Sequence, residues 1–394
     1  MVSAERERTK PCVAVAPRSL SSTMVSGASA DGLEAYRRVG QLEEPWSDAS
    51  FFARRGMPYP SFSSARSLKE LRGGHSGGVR ALAWNANGDS LISCGHDRVV
   101  RAWHPDRGTD IRSSVELTGH TDQVSALACH PHHPHLVATG SLDRTVRLWD
   151  LRQPSPARIV TTPGANINLA YSPDGRYLAV GDKSETVSLI DAEQGTLLHT
   201  IKDGSMDREE INELAWSPDG SLLLLPMGSG GISFLRAPDT PDAVTEEAGA
   251  PREHGFHPSW KRILLRPAHP AAIFCIAWDP KSRLVATTAA DSTLALWDAK
   301  DWDSVHVFSE FIFPPRCIDF SCDGEWLAAG GEDAHVFLIS TVSQRIAHKI
   351  PVSSTINSLA WHPSKPLLAY SGTDPAATAQ ATARSSPIWL YSLS

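Results

Sequence analysis

The sequence predicts an all-β fold in which seven four-stranded sheets close into a ring, a seven-bladed β-propeller. Three observations predict it: a strand–turn–strand unit that recurs seven times, a large side chain that closes the first strand of nearly every unit, and turn-forming residues directly after it. A unit of this size cannot bury its own apolar face, so the copies must pack against one another.

The residue that closes each first strand measures the repeat. Successive copies are 45, 42, 45, 62, 42 and 41 residues apart, and a four-stranded propeller unit takes about 40–45 residues. The long interval contains a Pro-, Glu- and Gly-rich stretch, 239–261, which we expect to be a surface loop inserted into the fourth unit. The seven closing residues are Trp84, Cys129, Tyr171, Trp216, Trp278, Phe320 and Trp361.

Turn chemistry follows the first strand in most units. The segments NANGD (85–89), SPDG (172–175 and 217–220) and SCDG (321–324) supply the Asn, Asp, Pro and Gly residues that tight hairpins need. The flanking runs are rich in Val, Ile, Leu, Ala and Trp, as strands are.

Three units resemble WD40 repeats, in which a His, a Ser or Thr, an Asp and a Trp hydrogen-bond within one blade. The resemblance implies structural roles for these residues, because a buried imidazole or carboxylate is tolerable only when it is paired. The matching residues are His75, Ser93, Asp97 and Trp103 in the first unit, His120, Thr139, Asp143 and Trp149 in the second, and His269, Thr287, Asp291 and Trp297 in the fifth.

The other four units depart from this pattern. Ile190 and Ile339 stand where the third and sixth units would carry Trp, although the sixth keeps Asp333. The seventh carries an insert between its second and third strands, and we expect all four units to be held mainly by apolar packing.

The last unit lacks an outer strand of its own. We expect residues 67–73 to supply it by pairing with the final strand, 387–394, so that the propeller covers 67–394. This closure would remove the open sheet edges that invite aggregation.

Residues 1–66 are a mostly irregular N-terminal extension. Its Ser-, Pro- and Ala-rich beginning predicts partial disorder, and 31–40 predicts a short helix. Trp46, Phe51 and Phe52 are unusual in such a segment. They either pack on the propeller's own surface or contact a partner.

Composition argues against nucleic acid or a membrane as the primary partner. Residues 1–66 hold nine basic and seven acidic side chains, which leaves 28 Lys and Arg against 37 Asp and Glu in the propeller. An autonomous nucleic-acid binder is expected to be basic, so any contact with RNA should be indirect or weak. No stretch has the length of a membrane span. Six cysteines without a pairing pattern and no secretory signal favour a reducing compartment.

No motif supports an enzyme or a cofactor site. The run HPHHPH, from His130 to His135, could bind zinc, but it lacks Cys or carboxylate partners, and a proline-fixed turn explains it as well. The arrangement of His120, Thr139 and Asp143 is better explained as blade structure than as a catalytic triad. We therefore expect no metal and no small-molecule substrate.

The ending WDLR, at 149–152, resembles the motif by which some propellers dock on a cullin–RING ligase adaptor, with Arg152 as the contact. It leaves a ubiquitin-ligase substrate receptor as an alternative function. Another peptide-binding propeller adaptor is a third hypothesis, and it depends on the fold alone.

The irregular units indicate a particular family more specifically than the regular units do. The phrases 164–196, 210–220, 275–301 and 356–374, read in order, resemble the WD-repeat subunits of the THO complex, the THO complex subunit 3 family. The resemblance rests most on Asn-Ile-Asn at 166–168, the Trp-less third and sixth units, and the late insert. It implies a non-catalytic scaffold in the nucleus, within the THO and TREX assemblies that package and export messenger RNA. The implied partners are large helical subunits and a DEAD-box RNA helicase.

Overall fold

The structure, a computed structural model, describes residues 62, 66–201, 211–236, 261–373 and 386–393. The predicted helix at 31–40, the aromatic residues Trp46, Phe51 and Phe52, and all but the last residue of the predicted loop 239–261 lie outside the described residues. The described part contains 28 strands and one short 3-10 helix, Ile111–Ser113 (η1). None of its helices is long and apolar enough to cross a membrane.

The strands form seven four-stranded antiparallel sheets, and the predicted all-β, seven-bladed propeller is confirmed. The innermost strands of blades one to seven are β2 (Val79–Trp84), β6 (Val124–Cys129), β10 (Asn166–Tyr171), β14 (Ala215–Trp216), β18 (Ile273–Trp278), β22 (Pro315–Phe320) and β26 (Thr355–Trp361). The second strands are β3 (Leu91–Gly95), β7 (Leu136–Ser141), β11 (Tyr177–Asp182), β15 (Leu222–Pro226), β19 (Leu284–Ala289), β23 (Trp326–Gly331) and β27 (Leu367–Thr373).

The third strands are β4 (Val100–Trp103), β8 (Thr145–Asp150), β12 (Val187–Asp191), β16 (Gly231–Arg236), β20 (Leu294–Asp298), β24 (His335–Ser340) and β28 (Ile388–Ser392). The outer strands are β5 (Ser114–Leu117), β9 (Pro156–Thr161), β13 (Thr196–Ile201), β17 (Lys261–Pro267), β21 (Ser304–Phe308), β25 (Arg345–Pro351) and β1 (Arg66–Leu71). Each innermost strand contacts the next one around the ring, and β26 contacts β2.

The two ends of the propeller meet in blade seven. Strand β1 pairs antiparallel with β28, from Arg66 opposite Ser392 to Leu71 opposite Ile388. The paired segment is Arg66–Leu71, compared with the predicted 67–73. The outer strand of blade seven therefore comes from the start of the propeller, and it pairs with the edge that β28 would otherwise leave open.

The hydrophobic core is divided among the seven junctions between blades. One cluster, for example, joins Ile92 and Val100 of blade one to Leu127 and Val137 of blade two. The six other clusters fill the remaining junctions in the same way. Each blade thus buries one apolar face on each neighbour, which is why a single unit could not fold by itself.

The antiparallel order gives the propeller two distinct faces. We call the first face the one that carries the connections from an outer strand to the next innermost strand, together with the turns between second and third strands. The second face carries the turns after the innermost strands and the connections between third and outer strands. The first face holds the predicted His and Asp positions of the blades, and the second holds His130 and Arg152.

Candidate functional site

The four predicted residues of blade two lie together in a hydrogen-bonded chain. His120 Nδ1 lies 2.9 Å from Asp143 Oδ2, and His120 Nε2 lies 2.8 Å from Thr139 Oγ1. The indole N–H of Trp149 donates to the same hydroxyl at 2.8 Å. The hydroxyl can then give its own hydrogen to Nε2, which leaves Nδ1 to donate to the carboxylate.

Blades one and five have the same arrangement. In blade one the His75 Nδ1–Asp97 Oδ2 distance is 3.0 Å and the Nε2–Ser93 Oγ distance is 2.7 Å, with Trp103 donating at 2.9 Å. In blade five the corresponding distances are 3.3, 2.7 and 2.8 Å. The structure brings together His269, Thr287, Asp291 and Trp297 there.

These chains are suited to holding a blade rather than to catalysis. Ser93, Thr139 and Thr287 are each 0% exposed, so their hydroxyls cannot meet a substrate. Burial lowers the pKa of His120, although Asp143 acts in the opposite direction. Burial tends to raise the pKa of Asp143, but hydrogen bonds from Thr145 and His120 outweigh it and hold that pKa at about 2. A neutral imidazole next to a charged carboxylate fits a fixed structural pair.

Blade six replaces most of this chain with apolar residues. Phe311 lies four residues before the innermost strand, where the complete blades carry His, and it packs on Phe337 with 4.7 Å between ring centroids. Ala329 and Ile339 fill the other two positions, both 0% exposed. Asp333 remains, 5% exposed, and accepts a hydrogen bond from the backbone N–H of Phe313 at 3.4 Å.

The asparagines of blade three connect it to both neighbours. Asn166 Nδ2 donates to the carbonyl of Thr145 in blade two at 3.0 Å, and Asn168 Nδ2 donates to the carbonyl of Ile211 in blade four at 3.2 Å. Both asparagines are buried. The Asn-Ile-Asn phrase therefore stabilises the two junctions of a blade that has lost the His–Ser/Thr–Asp–Trp chain. Polar residues in an otherwise apolar strand were the signal for this role.

Some strand-closing tryptophans also act across junctions, which the sequence did not indicate. The indole N–H of Trp84 donates to the carbonyl of Ala360 in blade seven, and that of Trp216 donates to Ala170 in blade three, both at 3.2 Å. At these two positions the residue that closes the innermost strand also ties its blade to the preceding one.

The histidine run at 130–135 forms a turn on the second face. His130 Nδ1 accepts the backbone N–H groups of His132 and His133, each at 3.1 Å, and the ring also hydrogen-bonds the backbone of Gly175 in blade three. Both ring nitrogens of His130 are therefore used, which argues against its service as a zinc ligand. Within the described residues, no three His, Cys, Asp or Glu side chains are grouped so as to hold a metal ion.

His362 repeats this arrangement at the junction of blades seven and one. Its Nδ1 accepts the backbone N–H groups of Ser364 and Lys365 at 3.1 and 3.0 Å, and its Nε2 donates to the carbonyl of Gly88 at 2.9 Å. A Cβ atom on Gly88 would lie 2.2 Å from the imidazole Cε1. The glycine of the neighbouring turn is thus required for the histidine to approach.

Arg152 lies on the second face and is paired with its own blade. Its guanidinium contacts the Asp150 carboxylate through Nε at 2.8 Å and Nη2 at 2.6 Å, while its side chain stays 67% exposed. The side chain is accessible to a partner, but binding one would require the guanidinium to give up part or all of its ion pair with Asp150. Its role as a ligase-adaptor contact stays a prediction.

Two carboxyl groups near the centre of the ring were not anticipated from the sequence. Glu213 and Asp319 are half-buried, and burial raises the pKa of each to about 7. Glu213 is near the backbone N–H of Leu214 at 3.4 Å and the thiol of Cys275 at 3.8 Å, and Asp319 accepts the N–H of Trp361 at 2.7 Å. Neither carboxyl has a cationic partner among these contacts. We expect them to be partly protonated near neutral pH.

Comparison with known proteins agrees with this geometry. The family described as WD domain, G-beta repeat matches residues 65–104, 111–150, 260–298 and 303–340, and the anaphase-promoting complex subunit 4 WD40 domain matches 144–207. Each of the four WD matches begins on or before the outer strand of one blade and ends with the third strand of the next. The sequence repeat is thus offset by one strand from the blade.

Similar proteins cover most of the chain. THO complex subunit 3 of Arabidopsis thaliana is 35% identical over 76% of this chain and 88% of its own length. WD repeat-containing protein AAC3 of Dictyostelium discoideum is 28% identical over 74% of this chain and 60% of its own length. The β-propeller domain of Myceliophteria thermophila Cps50 (Swd1) superposes with a TM-score of 0.68 at 16% identity, covering 84% of this chain and 100% of that one.

Proposed function

Because the chain belongs to the THO complex subunit 3 family of WD40-repeat propellers, we propose that it is a non-catalytic scaffold subunit of a THO complex. In this role it holds protein partners in the nucleus while messenger RNA is packaged during transcription and exported, within a TREX assembly. Its partners are large helical subunits, and a DEAD-box RNA helicase works in the same assembly.

One observation carries the proposal: the 35% identity to THO complex subunit 3 of Arabidopsis thaliana extends over 88% of that protein. Similarity of that length includes the irregular blades as well as the regular ones. Propellers in general serve many functions, so the fold without this similarity would support only a binding scaffold.

The geometry supports a scaffold rather than an enzyme. The hydroxyls that hydrogen-bond to the blade histidines, those of Ser93, Thr139 and Thr287, are 0% exposed, and His120 already hydrogen-bonds to Thr139 and Asp143. A closed ring with its core divided among seven junctions is a rigid platform. The excess of acidic over basic side chains in the propeller supports contact with RNA through partners.

Affinity purification under mild conditions tests the proposal. The full-length tagged chain, expressed at its natural level, should recover the large helical THO subunits and the helicase in fixed ratio, and recovery should survive ribonuclease treatment. A tagged propeller of unrelated function from the same cells is the matched control. Recovery of the chain without any THO subunit would refute the proposal, and loss of the partners on ribonuclease treatment would refute protein-mediated assembly.

A further inference from the structure

Blade seven is completed by a strand from the opposite end of the chain. In blades one to six the outer strand is the next strand in sequence after the third, whereas β1 and β28 are the first and last strands of the described propeller. The pairing of β1 with β28 covers Arg66–Leu71 and contains a register shift between Ser67 and Lys69. A terminal strand can leave its sheet while the other strands stay in place, so contacts outside the pairing influence how often it does so.

An aromatic contact with blade six holds the chain just before β1. The ring of Phe62, four residues before Arg66, lies parallel to the imidazole of His348, with 4.9 Å between centroids and 7° between planes. The same ring meets Trp326 edge to face, with 5.6 Å between centroids. His348 lies on β25 and Trp326 begins β23, so both partners belong to blade six. The chain is therefore attached to blade six before it enters blade seven.

The site that receives Phe62 is part of the core between blades six and seven. Trp326 and Tyr391 are 5% and 4% exposed and belong to the cluster against which Phe62 packs. The His348 ring also lies over Tyr391 of β28, with 6.2 Å between centroids and 22° between planes. Burial lowers the pKa of His348, so its ring is neutral at neutral pH and stacks as an ordinary aromatic group. The three stacked rings join the N-terminal extension, blade six and blade seven.

The other end of β1 has an apolar anchor of its own. Leu71 is 1% exposed and packs with Val79 and Ile388 in the core between blades seven and one. Strand β1 thus lies between two anchors, Phe62 at the junction of blades six and seven and Leu71 at the junction of blades seven and one. Leu71 belongs to the strand itself, whereas Phe62 holds the chain from outside the strand pairing.

We propose that Phe62 locks the closure of the ring, so that β1 separates from β28 only after the Phe62 ring has left His348 and Trp326. The occupant of this aromatic site is the protein's own N-terminal extension. The extension thereby has a structural role at its last residues, independent of any partner that the propeller holds. The inference goes beyond the proposed function, because it concerns how the ring stays closed.

Hydrogen exchange of the full-length chain, followed by mass spectrometry, tests the lock. In Phe62→Ala the amides of β1 should exchange about tenfold faster than in wild type, the factor expected when a half-buried aromatic ring no longer opposes a local opening. The outer strands β9 and β13 of blades two and three should exchange as in wild type. The matched control is Phe313→Ala, which removes the same ring from a residue that is 47% exposed and should leave β1 unchanged.

Three results would overturn the proposal. The first is unchanged exchange of β1 in Phe62→Ala. The second is equal acceleration of β1, β9 and β13, which would make Phe62 an ordinary contributor to global stability. The third is equal acceleration of β1 by Phe62→Ala and Phe313→Ala.

A double-mutant cycle assigns the effect to the stacked pair. His348→Ala should also accelerate the exchange of β1, and the double variant Phe62→Ala with His348→Ala should accelerate it by less than the product of the two single factors, because both changes remove the same contact. A double variant that reaches the full product would show that the two rings act independently and would refute the stack as the lock.

Discussion

Replacing Asp143 by alanine should destabilise the propeller more than any comparable change in blade six. The Asp143 side chain is 6% exposed and accepts from His120 Nδ1 at 2.9 Å, Thr121 N at 3.0 Å, and Thr145 N and Oγ1 at 2.9 and 2.6 Å. Removing the carboxylate leaves the buried imidazole N–H of His120 and two backbone amide N–H groups without a hydrogen-bond acceptor. One such buried donor costs about 1–3 kcal/mol, so we expect a loss near the upper end, about 3 kcal/mol.

The matched variant is Asp333→Ala. Asp333 accepts one backbone N–H at 3.4 Å, and Phe311 stands where the histidine would be. Its loss should cost about 1 kcal/mol. At about 2–4 °C per kcal/mol for a domain of a few hundred residues, the melting temperature should fall by about 6–12 °C for Asp143→Ala and by about 2–4 °C for Asp333→Ala.

Differential scanning calorimetry and urea unfolding of the two full-length variants decide the comparison. Asp143→Asn keeps an acceptor oxygen without the charge and should fall between wild type and Asp143→Ala. Equal melting shifts for Asp143→Ala and Asp333→Ala would show that the distinction between complete and incomplete blades has no energetic basis.

Three further predictions concern the ring centre and the junctions. Burial raises the pKa of Glu213 to about 7, so between about pH 4.5 and pH 7 the folded state keeps a proton that the unfolded state has released, and the free energy of unfolding falls as pH rises through this range. Glu213→Gln should remove up to about 3 kcal/mol of this loss. Urea midpoints of the variant that differ from wild type by the same amount at pH 5 and pH 8 would contradict this prediction. Burial lowers the pKa of His362. The neutral ring therefore stabilises the junction of blades seven and one fully above the unfolded pKa of about 6.5, and this stabilisation is lost as pH falls through the lower folded pKa. His362→Ala should make the free energy of unfolding less sensitive to acid in the same urea titration. Gly175→Ala should cost more than about 1 kcal/mol, because the backbone has φ +75° and the new Cβ would lie 2.2 Å from His130 Cε1; an unchanged melting temperature would refute that packing.

Much of the candidate chemistry could be read from the sequence, because some signals are local. The His-to-Asp and Trp spacing in blades one, two and five identified the residues that the structure brings together, since each set belongs to a single repeat. Glu213 and Asp319 could not be found in that way. Their burial depends on how several blades surround them. The residues next to them in sequence do not indicate whether such a carboxyl group will be buried. The sequence likewise did not show that Phe311 fills the position of the missing histidine in blade six and packs on Phe337.

The sequence by itself determined the blade number, the ring and the family. Periodicity, turn residues and the particular residues of the irregular units can all be read directly from the amino-acid sequence. Only the tertiary structure decided what the irregular residues do. Asn166 and Asn168 bond to neighbouring blades, His130 and His362 hold the turns of the next blade, and Phe313 is left in solvent. These outcomes depend on contacts between different units of the chain. A repeat pattern shows which positions are equivalent in each unit, but it does not show which side chains of neighbouring units touch.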